Sequence, residues 1–134
     1  MGSSDLSEHG FAAWLPFNRK AEASLIAAVP KTRGVYVIRC CCREYERVRG
    51  ASDILYVGSA ANRQGLRMRL RQYFHPGPTQ RTNRRILAIV AECNDFEVAY
   101  AETGSAPEAR SLESELLGRY ESDHGELPPE NRRR

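Results

Sequence analysis

Two tyrosines lie close to glycines in segments whose composition is typical of β-strands, Gly34-Val35-Tyr36 and Tyr56-Val57-Gly58. A tyrosine hydroxyl forms hydrogen bonds, and after losing its proton it can act as a base. A nearby glycine lets a large ligand approach the backbone. A buried strand tyrosine is more often a core residue whose hydroxyl has a partner, so this pair alone does not indicate a reaction.

Positive charge is concentrated in the middle of the chain. The 134 residues include 20 basic and 17 acidic ones, and 18 of the bases are arginine. Residues 54–91 contain seven arginines and no acidic residue. Arginine can bind phosphate through two parallel hydrogen bonds, so this window, with aromatic Tyr73 and Phe74 inside it, predicts a nucleic-acid-binding surface rather than a solvated helix face. The predicted contacts are Arg63, Arg67, Arg71, His75, Arg81, Arg84 and Arg85.

The pattern of apolar residues predicts the elements that position these side chains. β-branched and aromatic residues mark two strands joined by a long connection, and alternating residues mark a third. Helical periodicity indicates two helices after the second strand and one after the third. The predicted strands cover residues 34–40, 54–60 and 96–100, and the predicted helices cover about 65–74, 82–92 and 107–120. The order β-β-α-α-β-α predicts an α/β (α+β) fold with a three-stranded antiparallel sheet flanked by helices.

The first 30 residues are interpreted as an N-terminal arm, and residues 31–134 as the main domain. Asn18 can cap a short helix over residues 21–29, which Pro30 ends. Four apolar residues are expected to hold the arm on the domain. They are Phe11, Trp14, Leu15 and Phe17.

Glu113 is an acidic residue on the apolar side of the last predicted helix. At helical spacing it lies on the same side of the helix as the apolar residues Leu116 and Tyr120, whereas Glu115 projects toward solvent. A carboxylate on a buried face is costly unless it is paired or binds a metal. Two alternatives therefore remain open from the residues alone: a metal ligand, or an ion pair with an arginine such as Arg69.

The two tripeptides resemble the paired motifs of the GIY-YIG nuclease superfamily. In that family an arginine and then a histidine or tyrosine follow the second motif, a Leu-Glu pair lies on a later helix, and an asparagine closes the pattern after a proline. The matching residues here are Arg69, Tyr73, Glu113 and Asn131. The resemblance covers about residues 33–132, with a longer connection between the tripeptides than compact family members have.

The resemblance implies an endonuclease that hydrolyses DNA phosphodiester bonds. It implies that Tyr36 or Tyr56 accepts a proton from the attacking water and that Arg69 stabilises the transition state. Glu113 is the implied ligand of one Mg²⁺ or Mn²⁺. Tyr73 and Asn131 are the implied phosphate-positioning residues. A tyrosine base needs its ordinary pKa of about 10 to be lowered near neutral pH.

Two other functions are considered beside the nuclease. One is a nucleic-acid-binding module of the same fold with weak or no activity, although all the motif residues are retained. The other is a structural or protein-interaction domain, against which the concentration of arginines counts. A cleavage assay separates the first hypothesis from these two.

The remaining features limit where such a protein acts. No apolar run reaches the roughly 18 residues of a membrane span, and the polar segment MGSSDLSEHG is unlike a secretory signal. The sequence therefore predicts a cytoplasmic protein that binds DNA and no membrane, as a monomer or weak homodimer. Cys40, Cys41, Cys42 and the distant Cys93 lack the spaced pairs typical of a zinc site.

Overall fold

A computed structural model describes residues 1–92 and 94–132. The strands are β1 (Leu15–Pro16), β2 (Gly34–Cys40), β3 (Tyr45–Glu46), β4 (Ala51–Ser52), β5 (Ile54–Ala60) and β6 (Phe96–Glu102). The helices are α1 (Glu22–Ala28), α2 (Gly65–Phe74), α3 (Arg81–Ala91) and α4 (Ala106–His124), with 3₁₀ turns at Ser3–His9 and Arg19–Ala21. Among these described residues, no helix is both long enough and apolar enough to cross a bilayer.

The main sheet is antiparallel, as predicted, but it has four strands in the order β1-β6-β2-β5. The prediction of three strands was wrong because Leu15 and Pro16 pair with Val98 and Glu97 of β6. A strand of two residues, one of them proline, is too short to show the alternation from which strands are recognised. The long connection after β2 contains a second, two-stranded sheet formed by β3 and β4.

The pairing of β2 with β5 sets which side chains share a face. Tyr36 lies opposite Gly58 and Ile38 lies opposite Tyr56, after which the register shifts and Arg39 lies opposite Ile54. Because side chains alternate along a strand, Tyr36 and Tyr56 point to the same side of the sheet. The two motif tyrosines are therefore neighbours, although 19 residues separate them in the sequence.

Each face of the sheet carries its own apolar cluster. On the tyrosine face, α1, α2 and α3 contribute buried residues that include Leu25, Leu70 and Ile86. On the other face, α4 packs Leu116 and Tyr120 against the sheet. The first 30 residues supply Phe17 to one cluster and Leu6 to the other, so this segment is part of both packed layers.

The ends of α4 follow from local sequence signals. The side chain of Ser105 accepts a hydrogen bond from the backbone N–H of Glu108, and Pro107 lies in the first turn. Gly125 ends the helix with a φ of 77°, a conformation that glycine adopts without strain. The helix is about one turn longer than predicted, and Glu113 lies near its middle.

Candidate active site

Three tyrosine rings form the centre of the site. Tyr36 and Tyr56 come from neighbouring strands and Tyr73 from α2, with ring centroids 5.9 to 6.4 Å apart. The hydroxyl groups of Tyr36 and Tyr73 are 2.6 Å apart and hydrogen-bonded. Both of these side chains are fully buried, whereas Tyr56 is half-buried. Tyr56 is therefore the tyrosine of the three that is open to a substrate.

The close packing of two tyrosine rings around Gly58 explains why the second tripeptide ends in glycine. A Cβ atom at this position would lie 2.5 Å from both Cζ and the hydroxyl oxygen of Tyr36, and 2.7 Å from Cε2 of Tyr56. Real Cβ atoms do not approach ring atoms this closely. The absent side chain makes the space in which the Tyr36 ring lies across β5.

Arg69 extends from α2 toward the tyrosines. Its guanidinium carbon lies 5.7 Å from the centroid of the Tyr73 ring, and Nη1 donates a hydrogen bond to Oε1 of Gln72. The neighbouring hydroxyls, that of Tyr36 above all, raise the pKa of Arg69 even though partial burial opposes the charge. The side chain is thus a fixed positive charge beside the tyrosine hydroxyls.

Burial controls the acidity of the three tyrosines. Desolvation is the largest effect on each, and it raises the pKa of Tyr36, Tyr56 and Tyr73. The charge of Arg69 acts in the opposite direction and lowers the pKa of all three. A base near neutral pH requires a lower pKa, so the protein's own charges supply only part of what this role needs.

Glu113 lies half-buried on α4, and Glu115 is exposed. The Glu113 charge raises the pKa of Tyr56, after the larger effects of burial and Arg69, so carboxylate and hydroxyl are electrostatic neighbours. Within residues 1–92 and 94–132, Glu113 forms no ion pair with Arg69. The carboxylate is left available to a cation.

The donor set at this position suits a cation that keeps most of its water. The described part of the chain contains no group of three or more His, Cys, Asp or Glu residues that could hold a metal ion. Mg²⁺ is commonly bound through one or two carboxylates, with waters and substrate phosphates as the other ligands. A single accessible carboxylate, Glu113, fits that mode and does not fit a closed structural site.

Asn131 covers the outer edge of β5. Its Oδ1 accepts a hydrogen bond from the N–H of Val57 at 2.9 Å, and its Nδ2 donates to the carbonyl of Val57 at 2.8 Å. The backbone N–H of Glu130 donates to the carbonyl of Leu55. The amide of Asn131 thus takes the place of a neighbouring strand, a use that its position after a proline does not indicate.

A groove opens where this segment passes Tyr56. It has a volume of about 350 Å³. Its lining residues are Tyr56, Arg81, Thr82, Arg85, Glu130, Asn131 and Arg132. Nε of Arg85 donates to Oε1 of Glu130 at 2.9 Å, so a carboxylate neutralises one of the groove's arginines.

The predicted nucleic-acid contacts do not form one surface. Arg81 and Arg85 line the Tyr56 groove, whereas Arg63, Arg67 and Arg71 line cavities between α1 and α2. Arg84 borders a cavity with Arg19 and Lys20. His75 is 2.6 Å from the carboxylate of Glu22, a partner that competes with phosphate.

Sequence reasoning missed several charged residues at these surfaces. Arg19, Lys20 and Lys31 lie beside the arginines of α2 and α3, and Glu130 lies in the groove. They are distant from the arginine-rich window in the chain, and only the packing of α1 on α2 brings the three bases there. A count of charge by window cannot detect them.

The cysteines lie at the end of β2, away from the tyrosines. Sγ of Cys40, which is buried, is 3.4 Å from Sγ of Cys42, and Cys41 contacts the carboxylate of Glu97. Burial, and then Glu97, raise the pKa of the Cys41 thiol to about 11, so it stays protonated at neutral pH. Cys93, considered together with these residues in the sequence, lies outside the described residues.

No protein-family model matches the sequence, and no curated protein is detectably similar to it. A solved structure does match: the GIY-YIG N-terminal endonuclease domain of UvrC from Thermotoga maritima, bound to its catalytic divalent cation, magnesium. It is 24% identical over 84% of this chain and 98% of that one, with a TM-score of 0.51. An asparagine-to-alanine mutant of the same domain, also bound to its catalytic divalent cation, is 23% identical over 86% and 99%, with the same TM-score. The resemblance inferred from the tripeptides is thus confirmed at the level of the fold.

Proposed function

We propose that this chain, whose fold is GIY-YIG-like, is a metal-dependent endonuclease that hydrolyses DNA phosphodiester bonds. The observation that carries the proposal is Tyr56, which borders a groove with arginine side chains, packs against the Tyr73 ring that Arg69 approaches, and has its pKa affected by the charges of both Arg69 and Glu113. Hydrolysis of a phosphodiester requires a base for water, positive charge for the transition state and help for the leaving oxygen. These three residues offer one group for each requirement.

Tyr56 is the proposed general base. The alternatives, Tyr36 and Tyr73, have no exposed surface, and their hydroxyls are hydrogen-bonded to each other. Tyr56 borders the groove and so can accept a proton from water next to a bound phosphate. In this proposal Tyr36 and Tyr73 act as positioning residues, because their rings hold Tyr56 and face Arg69.

Arg69 is the proposed stabiliser of the transition state. Phosphodiester hydrolysis places extra negative charge on the non-bridging oxygens, and a guanidinium can donate two hydrogen bonds to them. The same charge lowers the pKa of Tyr56, so Arg69 has two effects: it favours the tyrosinate form and it attracts phosphate.

Glu113 is the proposed ligand of one Mg²⁺ or Mn²⁺. A divalent cation supplies charge stabilisation for the leaving oxygen when it is bound. The carboxylate of Glu113 is a hard oxygen donor of the kind that these ions select. Its charge affects the pKa of Tyr56, which supports an ion position near that hydroxyl.

Arg81 and Arg85 are the proposed phosphate contacts in the groove. Arg81 is exposed, and Arg85 is held by Glu130. A DNA phosphate entering the groove therefore competes with the Glu130 carboxylate for Arg85. Asn131 holds the segment that carries Glu130 on β5, so its proposed effect on phosphate positioning acts through the shape of the groove.

Incubation with supercoiled plasmid tests the proposal. We expect nicked or linear product in the presence of Mg²⁺ or Mn²⁺, and intact plasmid when EDTA removes the metal. The Arg69→Gln variant should lose the activity, and Arg110→Gln, a change on the exposed side of α4, should retain it. Plasmid binding without cleavage under every metal condition would contradict the nuclease and favour a binding module of the same fold.

A further inference from the structure

Unpaired positive charge is concentrated where α1 packs on α2. The acidic side chains of the described residues form ion pairs with Arg39, Arg47, Arg85 and Arg119. Of the other bases, which make no ion pair within residues 1–92 and 94–132, six line two cavities of about 380 and 500 Å³. They are Arg19, Lys20, Lys31, Arg63, Arg67 and Arg71, named here the α1–α2 basic surface.

This surface is continuous and open to solvent. The two cavities share Ile26, Arg67 and Arg71. Nε of Arg67 donates to the carbonyl of Val29 at 2.8 Å, which fixes this half-buried side chain where it borders both cavities. Glu22 is the acidic residue that borders the surface, and its carboxylate is bound to His75.

The α1–α2 basic surface lies on the far side of α2 from the tyrosines. Arg67 and Arg71 are each two positions from Arg69, and two positions on an α-helix correspond to a rotation of about 200°. Arg69 and Tyr73 face the candidate site, so Arg67 and Arg71 face away from it. A helix with its side chains is about 10–12 Å across, and a ligand that reaches both sides must extend at least that far.

We propose that the α1–α2 basic surface binds the phosphates of duplex DNA that flanks the cleaved bond. The inference rests on the proposed function only for the cleavage of a bond. The surface itself is a second binding site, separate from the Tyr56 groove. Arginines and lysines without an acidic partner attract phosphate, and a DNA duplex carries about one phosphate charge for every 1.7 Å of its axis. The bases added by residues 19–31 mean that the N-terminal segment contributes to DNA binding.

A membrane surface is a poorer match for this charge. Helices that bind at a membrane interface present a broad apolar face to the acyl chains. The apolar residues of α1 and α2, including Leu25, Leu66 and Leu70, are buried in the core of the protein. The apolar side chains that line the two cavities are alanines or half-buried residues such as Ile26 and Met68, so they do not form a broad apolar face.

The test measures DNA binding without cleavage. A fluorescent duplex is titrated with protein in EDTA at several salt concentrations, and the triple variant Lys31→Gln/Arg63→Gln/Arg71→Gln is compared with the parent protein. Arg67 is kept because its bond to Val29 supports the fold. The matched control is Arg110→Gln, which removes an exposed arginine from α4.

Each lost phosphate contact removes about 0.9 from the slope of log affinity against log salt. The triple variant should therefore bind about tenfold or more weakly and show a slope shallower by roughly 2 to 3. The control should match the parent protein in both. A folded triple variant with parental affinity and slope would overturn the inference.

Cleavage by the parent protein, measured in parallel, separates this inference from the proposed function. If the parent cleaves plasmid while the triple variant binds the duplex normally, the nuclease stands and the second site is wrong. If the variant loses binding and the parent never cleaves, the DNA-binding surface stands and the nuclease is wrong. Tighter binding of the parent to phosphatidylserine vesicles than to duplex at equal salt would overturn the choice of DNA.

Discussion

The hydroxyl groups of Tyr36 and Tyr73 lie 2.6 Å apart, and neither side chain reaches solvent. Tyr36 belongs to the central part of the sheet and Tyr73 to α2. Their hydrogen bond therefore connects the strand that carries the first tripeptide to the helix that carries Arg69. The position of the arginine depends on this buried polar contact.

Removing one hydroxyl of this pair should lower the unfolding free energy by more than half of what removing both hydroxyls does. Tyr36→Phe leaves the buried hydroxyl of Tyr73 without this partner, and such a loss costs about 1–3 kcal/mol of unfolding free energy. In the double variant Tyr36→Phe/Tyr73→Phe both hydroxyls are gone, so the cost should be smaller than the sum of the single changes. Urea unfolding of the four proteins measures this, and strictly additive values would contradict the pairing.

Tyr56→Phe should lower the cleavage rate by about 10²-fold or more if Tyr56 is the base. The active form of a base is deprotonated, so the rate of the parent protein should rise with pH while the pH is below the pKa of Tyr56. Arg69 lowers that pKa, and Arg69→Gln should move any remaining rise in rate to higher pH. Rate profiles against pH measure both effects, and a Tyr56→Phe variant with parental rate would remove the base.

Glu113→Gln should abolish metal-dependent cleavage and leave the fold intact. The substitution keeps the shape of the side chain and removes the negative charge that a hard cation needs. No ion pair with Arg69 is broken, so the melting temperature should change little. Glu115→Gln, an exposed neighbour on the same helix, is the control for charge.

Metal binding can be measured at Glu113 independently of cleavage. Titration calorimetry with Mn²⁺ should show binding to the parent protein and to Glu115→Gln, and weak or no binding to Glu113→Gln. Equal Mn²⁺ affinity in all three proteins would contradict the proposed ligand. A large fall in melting temperature with cleavage retained would make Glu113 a structural residue.

Gly58→Ala should disrupt the tyrosine cluster. The new methyl group would lie 2.5 Å from the Tyr36 ring, which must then move away from β5. Overpacking of a buried site commonly costs about 1–3 kcal/mol, and here the displaced ring also supports Tyr56. Gly77→Ala is the control, because a Cβ there has Gln80 Oε1 as its nearest neighbour at 3.7 Å. Thermal unfolding of the two variants should differ clearly, and equal stability would contradict the contact.

The sequence predicts local features of this protein well. The bounds of α2 follow from its apolar periodicity. The four-residue spacing of Arg69 and Tyr73 puts both on the side of that helix that faces the tyrosines of the sheet. Side-chain alternation in β2 and β5 likewise puts Tyr36 and Tyr56 on one face. Each of these depends on residues near one another in the chain, or on the fixed geometry of a strand pair.

Features that depend on distant packing are not predictable in this way. β1 exists because Leu15 and Pro16 meet β6, and no pattern within two residues indicates it. The predicted arginine surface divides because its residues belong to different helices. Arg81 and Arg85 of α3 line the Tyr56 groove, whereas Arg71 of α2 lines the cavities beside α1, where the segment after α1 adds Lys31. The use of the Asn131 amide as a strand partner also appears only in three dimensions.

Other parts of the chain cover both edge strands of the sheet, and this bears on whether two copies can pair edge to edge. Beyond β6, the N–H groups of Ala12 and Phe17 donate to the carbonyls of Tyr100 and Phe96, and Pro16 between them has no N–H to offer. Beyond β5, Glu130 and Asn131 occupy the backbone groups of Leu55 and Val57. An open strand edge is a template for edge-to-edge pairing and aggregation. A chain cut before Pro128 would expose the β5 edge, and its sheet could continue into that of a second copy.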